Sequence, residues 1–218
     1  MSVNLKPSLD ESEDKNSHLA KEGRLQRKAG KSGFKITRFR EVFFRHGLLV
    51  LILSVLCFFL PNAFDSLSWG TERFQINPFL YLISGTILLT LLISISFFEN
   101  KNISTRQMVW IFYLLGISIS EEWIFRLVVP GFLMKYNDPV IAIVISNIIF
   151  AGMHYFTLRW RIIWCLGAFC GAMGLSRLLV YGDILFLIGI HWFATFMNTP
   201  RPPTVDPHSS HRQKTEHN

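Results

Sequence analysis

The sequence predicts an all-α membrane protein, a bundle of about six transmembrane helices with a polar site between helices 3, 4 and 6. Three observations predict it. Half of the 218 residues are hydrophobic and gather into six long apolar runs, with mean hydropathy +0.32, which a soluble chain of this size rarely shows. Basic residues crowd the flanks of alternate loops, the signature of a multi-pass protein with its positive flanks in the cytosol. The few ionisable groups inside the runs are concentrated: Glu121, Glu122 and Arg126 in the third, His154 in the fourth, His191 in the sixth.

Residues 1–45 are polar, mixed in charge and too poor in apolar clusters to build a core, so they read as a largely disordered cytosolic arm. Half of all Lys and Arg precede His46, and this places the net charge of +7 beside anionic lipid rather than on a nucleic-acid surface. From Phe34 to Arg45 basic and aromatic residues alternate, as in a short interfacial helix or a charged flank that fixes topology. The first apolar run begins too far into the chain for a cleavable signal peptide. Residues 46–199 form the membrane-embedded domain, and residues 200–218 a polar cytosolic tail opened by Pro200, Pro202 and Pro203.

Within the domain, the first span runs from about Gly47 to Phe64, followed by a short polar loop with Trp69, Glu72 and Arg73. Asn77-Pro78 opens the second span, with proline at the first turn, where its missing N–H costs little; the span reaches about Phe98. Asn102-Ile103-Ser104 matches a glycosylation sequon by chance, in a loop predicted to be cytosolic. The third span lies within Met108–Met134 and stops near Pro130-Gly131 or a turn beyond. Asn137-Asp138-Pro139 starts the fourth, which runs to about Phe156. Arg159 and Arg161 flank the fifth, where Gly167 and Gly171 allow close approach of a neighbouring helix. After the turn Tyr181-Gly182-Asp183 the sixth span ends near Asn198. Both termini then lie in the cytosol. Cys57, Cys165 and Cys170 sit in apolar runs without metal or disulfide spacing and read as small core residues.

The centre is Ser120-Glu121-Glu122-Trp123-Ile124-Phe125-Arg126. A charge at bilayer depth costs about 2.5–3.5 kcal/mol on insertion scales, so such groups are paired and mark function. Glu122 and Arg126 are one helical turn apart and can pair; Glu121, rotated by about 100°, needs another partner. His154 and His191 are available, with Asn147 seven residues before the first and Thr195 and Asn198 four and seven after the second. Each has a plain structural reading: an interfacial histidine, a helix–helix hydrogen bonder, and for Arg177 a side chain snorkelling to the surface. A carboxylate and two imidazoles on three helices are accounted for together by a site. Three chemistries use such a set: water activated by carboxylate and imidazole, zinc held by Glu, His and His, or a proton relay in a transporter.

The series Glu121-Glu122-x-x-x-Arg126, Phe150-x-x-x-His154 and a later His191 resembles the CPBP family of intramembrane proteases, which includes CAAX prenyl endopeptidases and bacteriocin-processing or self-immunity proteins. The resemblance covers about 106–198. It implies a glutamate-type endopeptidase acting on a membrane-tethered peptide or protein, with no cofactor and with zinc as the alternative. By the same resemblance Glu121 activates water with His154, Glu122 and Arg126 brace the helix, and His191 serves the oxyanion. The family has Asn or Asp four residues after that histidine, where this chain has Thr195, with Asn198 a further turn along. A non-catalytic scaffold or immunity-type protein of the same fold is the competing class. One geometric condition follows. Glu121 is about 20 Å up its span at 1.5 Å per residue, whereas His154 is near the cytosolic end of its own, so they meet only if the third helix is long and tilted or begins in the cytosol.

Overall fold

The computed structural model describes residues 39–100, 103–179 and 183–199. Among them the chain is mostly helical, with no strand. Helix α1 is continuous from Phe39–Val42 through a widened π-turn, Phe43–Gly47, to Leu48–Cys57. Two short helices follow, α2 (Ala63–Gly70) and α3 (Glu72–Ile76), then α4 (Pro78–Asn100). Helix α5 runs Thr105–Leu133, with a second π-turn at Trp123–Val128; α6 is Pro139–Leu158, α7 Ile162–Leu179 and α8 Ile184–Asn198. Helices α4, α5 and α6 are long and apolar enough to cross a membrane, and α1, α7 and α8 are shorter apolar helices. Large side chains such as Phe59, Phe79, Phe98, Phe156 and Ile162 are exposed on the outside, as a bundle solvated by lipid requires.

Local signals set the ends. Ser104 and Gln107 form a reciprocal capping box at the start of α5, which gives Ser104 of the sequon-like triplet a structural role. Asp138 accepts from the Val140 N–H with Pro139 in the first turn of α6, and Asp183 accepts from Phe186 N–H to open α8. Asp183 also accepts from the Tyr81 hydroxyl at 2.5 Å, tying α8 to α4. Helix α6 closes on Arg159, whose left-handed backbone (φ 54°) turns the chain towards α7.

The first span differs from its expected bounds. It starts earlier, at Phe39, and ends at Cys57 rather than near Phe64; residues placed in a polar loop, Trp69, Glu72 and Arg73, lie in α2 and α3. Pro61 cannot continue the helix, and Asn62 in the left-handed region (φ 68°) reverses the chain before α2. Of the segment 34–45, residues from Phe39 continue into α1; residues 34–38 lie outside the described residues, as do the rest of the arm, Asn102, Tyr181, Gly182 and the tail. Cys57, Cys165 and Cys170 are free thiols.

Helix α5 is the centre of the bundle, largely enclosed by its neighbours, whereas α4 is almost wholly exposed. Around α5, Trp123 donates to Ser54 O of α1 (3.1 Å) and stacks on Phe58, and Trp192 of α8 donates to Ile111 O (3.0 Å). Gly47 lets α1 come against α5: a Cβ there would lie 2.9 Å from Cε2 of Tyr113. These contacts hold α1 and α8 against α5.

Candidate active site

Glu121 projects from the middle of α5, and its carboxylate is almost completely buried. His154 Nε2, from the last turns of α6, lies 3.7 Å from Oε1, and His191 Nε2, from α8, lies 3.5 Å from Oε2. A third imidazole, unforeseen in the sequence, is nearer than either: His46 Nε2, from the π-turn of α1, is 3.1 Å from Oε1. The third helix is long, at 29 residues, and Glu121 lies near His154 of α6.

Each imidazole is oriented from behind. His154 Nδ1 is 2.9 Å from the Phe150 carbonyl, which can only accept, so Nδ1–H donates and Nε2 is turned to Glu121. The acceptor is the backbone carbonyl one helical turn before His154. The Phe150 ring serves as well: it lies under the Arg126 guanidinium at 4.9 Å and edge-on to His154. His191 Nδ1 donates to Glu122 Oε1 at 2.7 Å. His46 Nδ1 is 2.9 Å from Thr157 Oγ1, whose own proton is committed to Met153 O at 2.7 Å, so His46 is again the donor through Nδ1.

Glu122 and Arg126 pair as their spacing predicts, Nε to Oε2 at 3.2 Å, with both side chains wholly buried. Arg126 Nη1 donates to Asn147 Oδ1 (2.8 Å), and the Asn147 amide donates to Ser176 Oγ of α7 (3.0 Å). Asn147 is thus a helix–helix brace behind the acid pair. The structure brings Glu121, Glu122, Arg126, His154 and His191 together. Thr195 and Asn198 line the same cavity from α8, but the Asn198 amide donates to Ala194 O of its own helix (2.8 Å), and no contact joins either to Glu121. Arg177 is exposed, consistent with a snorkelling side chain.

The cavity beside Glu121 measures about 430 Å³ and is walled mainly by apolar groups, including Trp110, Trp160, Trp164 and Leu175. Gly167 and Gly171 lie along its α7 wall, with open space where a Cβ would stand. Glu121 Oε1 makes no aligned hydrogen bond despite its burial, and Arg126 Nη2 has none either; buried polar atoms of this kind mark a place for water or ligand. The ligand atoms of His46, Glu121 and His154 lie within 4.8 Å of one another, so this group could also hold a metal ion.

An all-α bundle with a buried carboxylate ringed by imidazoles beside an apolar cavity defines a membrane protein built around an acid–base centre. Residues 103–197 match the family described as type II CAAX prenyl endopeptidase Rce1-like, in agreement with the motif resemblance. The matched segment contains every motif residue except Asn198, one position beyond it. His46 lies outside the matched segment. No curated protein and no solved structure matches the chain. Read from the sequence, the first apolar run begins at Gly47, one residue after His46, which leaves that histidine outside the spans. The signal available was its place at the boundary of a span, in a stretch otherwise dominated by Arg and Phe.

Proposed function

We propose that the chain is an intramembrane endopeptidase of glutamate type that hydrolyses a peptide bond in a membrane-tethered peptide or protein. The observation that carries this reading is Glu121: a buried carboxylate at the wall of an apolar cavity, with one oxygen lacking an aligned hydrogen bond and imidazole nitrogens around it. Water held between Glu121 Oε1 and His154 Nε2 gives its proton to the carboxylate and attacks the scissile carbonyl. The oxyanion is met from α8 by the Thr195 hydroxyl, or by His191 Nε2–H when both ring nitrogens carry a proton, since Nδ1–H is committed to Glu122. Glu121 then returns the proton to the departing amine as the C–N bond breaks. Glu122 and Arg126 hold His191 and the helix in place.

The family description names a CAAX prenyl endopeptidase, and an apolar cavity next to the acid suits a lipid-modified or membrane-anchored segment. By the positive flanks, the site opens towards the cytosolic half of the membrane, with both termini in the cytosol and the basic arm against anionic lipid. Purified protein in vesicles is to be offered a panel of prenylated and transmembrane-anchored peptides. Cleavage of a panel member that falls about 10²-fold or more in Glu121→Gln supports the reading. A folded wild type that cleaves none of them favours a non-catalytic scaffold or immunity-type role.

A second reading has its own support. The grouping of His46, Glu121 and His154 would make a zinc-dependent hydrolase with Glu121 as a ligand. The glutamate reading expects activity to survive chelation, and the zinc reading expects it to be lost.

A further inference from the structure

The motif residues of the site all come from α5, α6 and α8, yet the nitrogen nearest to Glu121 belongs to α1. His46 is almost fully buried, and three features show it built into place rather than trapped there. Its Nδ1–H is anchored on Thr157 of α6, so the ring cannot turn its other nitrogen away from Glu121. It sits in a π-turn, Phe43–Gly47, a local widening of the helix that is uncommon and recurs at functional positions. The next residue is the glycine that allows α1 to approach Tyr113 and α5. Its ring also faces His154, with centroids 5.1 Å apart, so it forms one wall of the space in which Glu121 and His154 would hold water.

We propose that His46 is a positioning residue of the catalytic centre, supplied by the first membrane helix from outside the segment that matches the protease family. This rests on the reading of Glu121 as the general base. His46 fixes Glu121 Oε1 in line with His154 and places the nearest polar partner, at 3.1 Å, against a carboxylate that His154 and His191 approach only to 3.7 and 3.5 Å. The groups facing the pair are Tyr113, Glu122 and Arg126 on α5, His154 on α6 and His191 on α8. Of these, Glu122 and Arg126 pair with each other, so they do not supply that partner. The consequence is that α1 is part of the active centre and not only a membrane anchor.

The test uses the full chain in detergent or vesicles, with His46→Ala and His46→Gln made in the wild type and in Glu121→Gln. The peptide cleaved by the wild type serves as substrate. His46→Ala should lower kcat at least tenfold with KM within about twofold, and His46→Gln, which keeps a polar group, should restore part of that loss. Melting temperatures provide a readout independent of cleavage. His46→Ala should lower Tm in the wild type and clearly less in Glu121→Gln, because the partner charge is already gone. Equal Tm losses in both backgrounds, or an unchanged kcat, would overturn the proposal. So would a stoichiometric metal ion that elemental analysis finds in the wild type and not in His46→Ala, since His46 would then be a ligand. A wild type that cleaves nothing defeats the protease reading alone; the two melting comparisons still decide whether His46 serves Glu121.

Discussion

The two adjacent acids are not equivalent, and replacing each by glutamine separates their roles. Glu122 is wholly enclosed and holds two partners, Arg126 Nε at 3.2 Å and His191 Nδ1 at 2.7 Å. Glu122→Gln removes the carboxylate that, among the described residues, lies within ion-pair distance of a guanidinium with no exposure of its own. Breaking a buried pair in this way costs about 3–5 kcal/mol. For a chain of this size, at roughly 2–4 °C per kcal/mol, the melting temperature should fall by about 6–20 °C. The Asn147 contact to Nη1 remains and places the effect towards the lower half of that range. Glu121→Gln replaces a carboxylate whose ion-pair neighbours are imidazoles by an amide of the same volume, so no guanidinium loses its partner. Its melting temperature should stay close to that of the wild type while single-turnover cleavage falls about 10²-fold or more. Because Glu122 anchors His191 directly, Glu122→Gln should also slow cleavage in the fraction that remains folded. Thermal unfolding of both purified variants beside single-turnover cleavage checks the assignment. A Glu122→Gln protein that melts with the wild type, or a Glu121→Gln protein that is the less stable of the two, would refute the division of labour.

Two further outcomes are expected. Thr195→Ala should reduce kcat by about 10²-fold if its hydroxyl serves the oxyanion, whereas Asn198→Ala should have little effect, since that amide is exposed and spent on Ala194 O; steady-state kinetics of the two variants against one substrate decides between them. Topology reporters inserted near Gly70 and after Asn218 should mark opposite sides of the membrane, and the same side for both would break the count of six spans.

Much of the site was legible because the residues that carry it break a simple rule. Charged and imidazole side chains inside apolar runs are costly, so Glu121, Glu122, Arg126, His154 and His191 stood out without any knowledge of packing. The Glu122–Arg126 pair followed from helix periodicity alone. Helix starts at Pro78, Asp138 and Asp183 were equally visible in the chain. What escaped depended on distance in sequence. His46 and Glu121 are 75 residues apart (121 minus 46), and only the packing of α1 against α5 brings them within 3.1 Å. The short helices α2 and α3 escaped for another reason: they are polar enough to read as loop, and tertiary contacts such as Gly70 against Leu127 hold them in place.

The π-turn in α5 shows why the acid pair and its brace occur together. Pro130 has no N–H to give to the carbonyl of Arg126, and its ring would crowd that carbonyl in a regular helix. The chain widens just before it: Val129 N–H bonds to Ile124 O, five residues back, and the Phe125 carbonyl loses its usual partner. Ser146 of α6 donates to that carbonyl at 2.8 Å, and the next residue, Asn147, accepts from Arg126. A single dipeptide on α6 therefore satisfies both the backbone group freed by the widened turn and the guanidinium beside it. Arg126 is held from two sides, by Glu122 within its own helix and by Asn147 across the interface, and cannot swing towards Glu121 and neutralise it. Glu121 is left to the imidazoles and to whatever enters the cavity. Without Ser146 and Asn147 the Phe125 carbonyl would keep only the long contact from Arg126 Nη1 (3.4 Å), and the arginine would lose its hold across the interface; the proline, the serine and the asparagine together keep Arg126 turned away from Glu121.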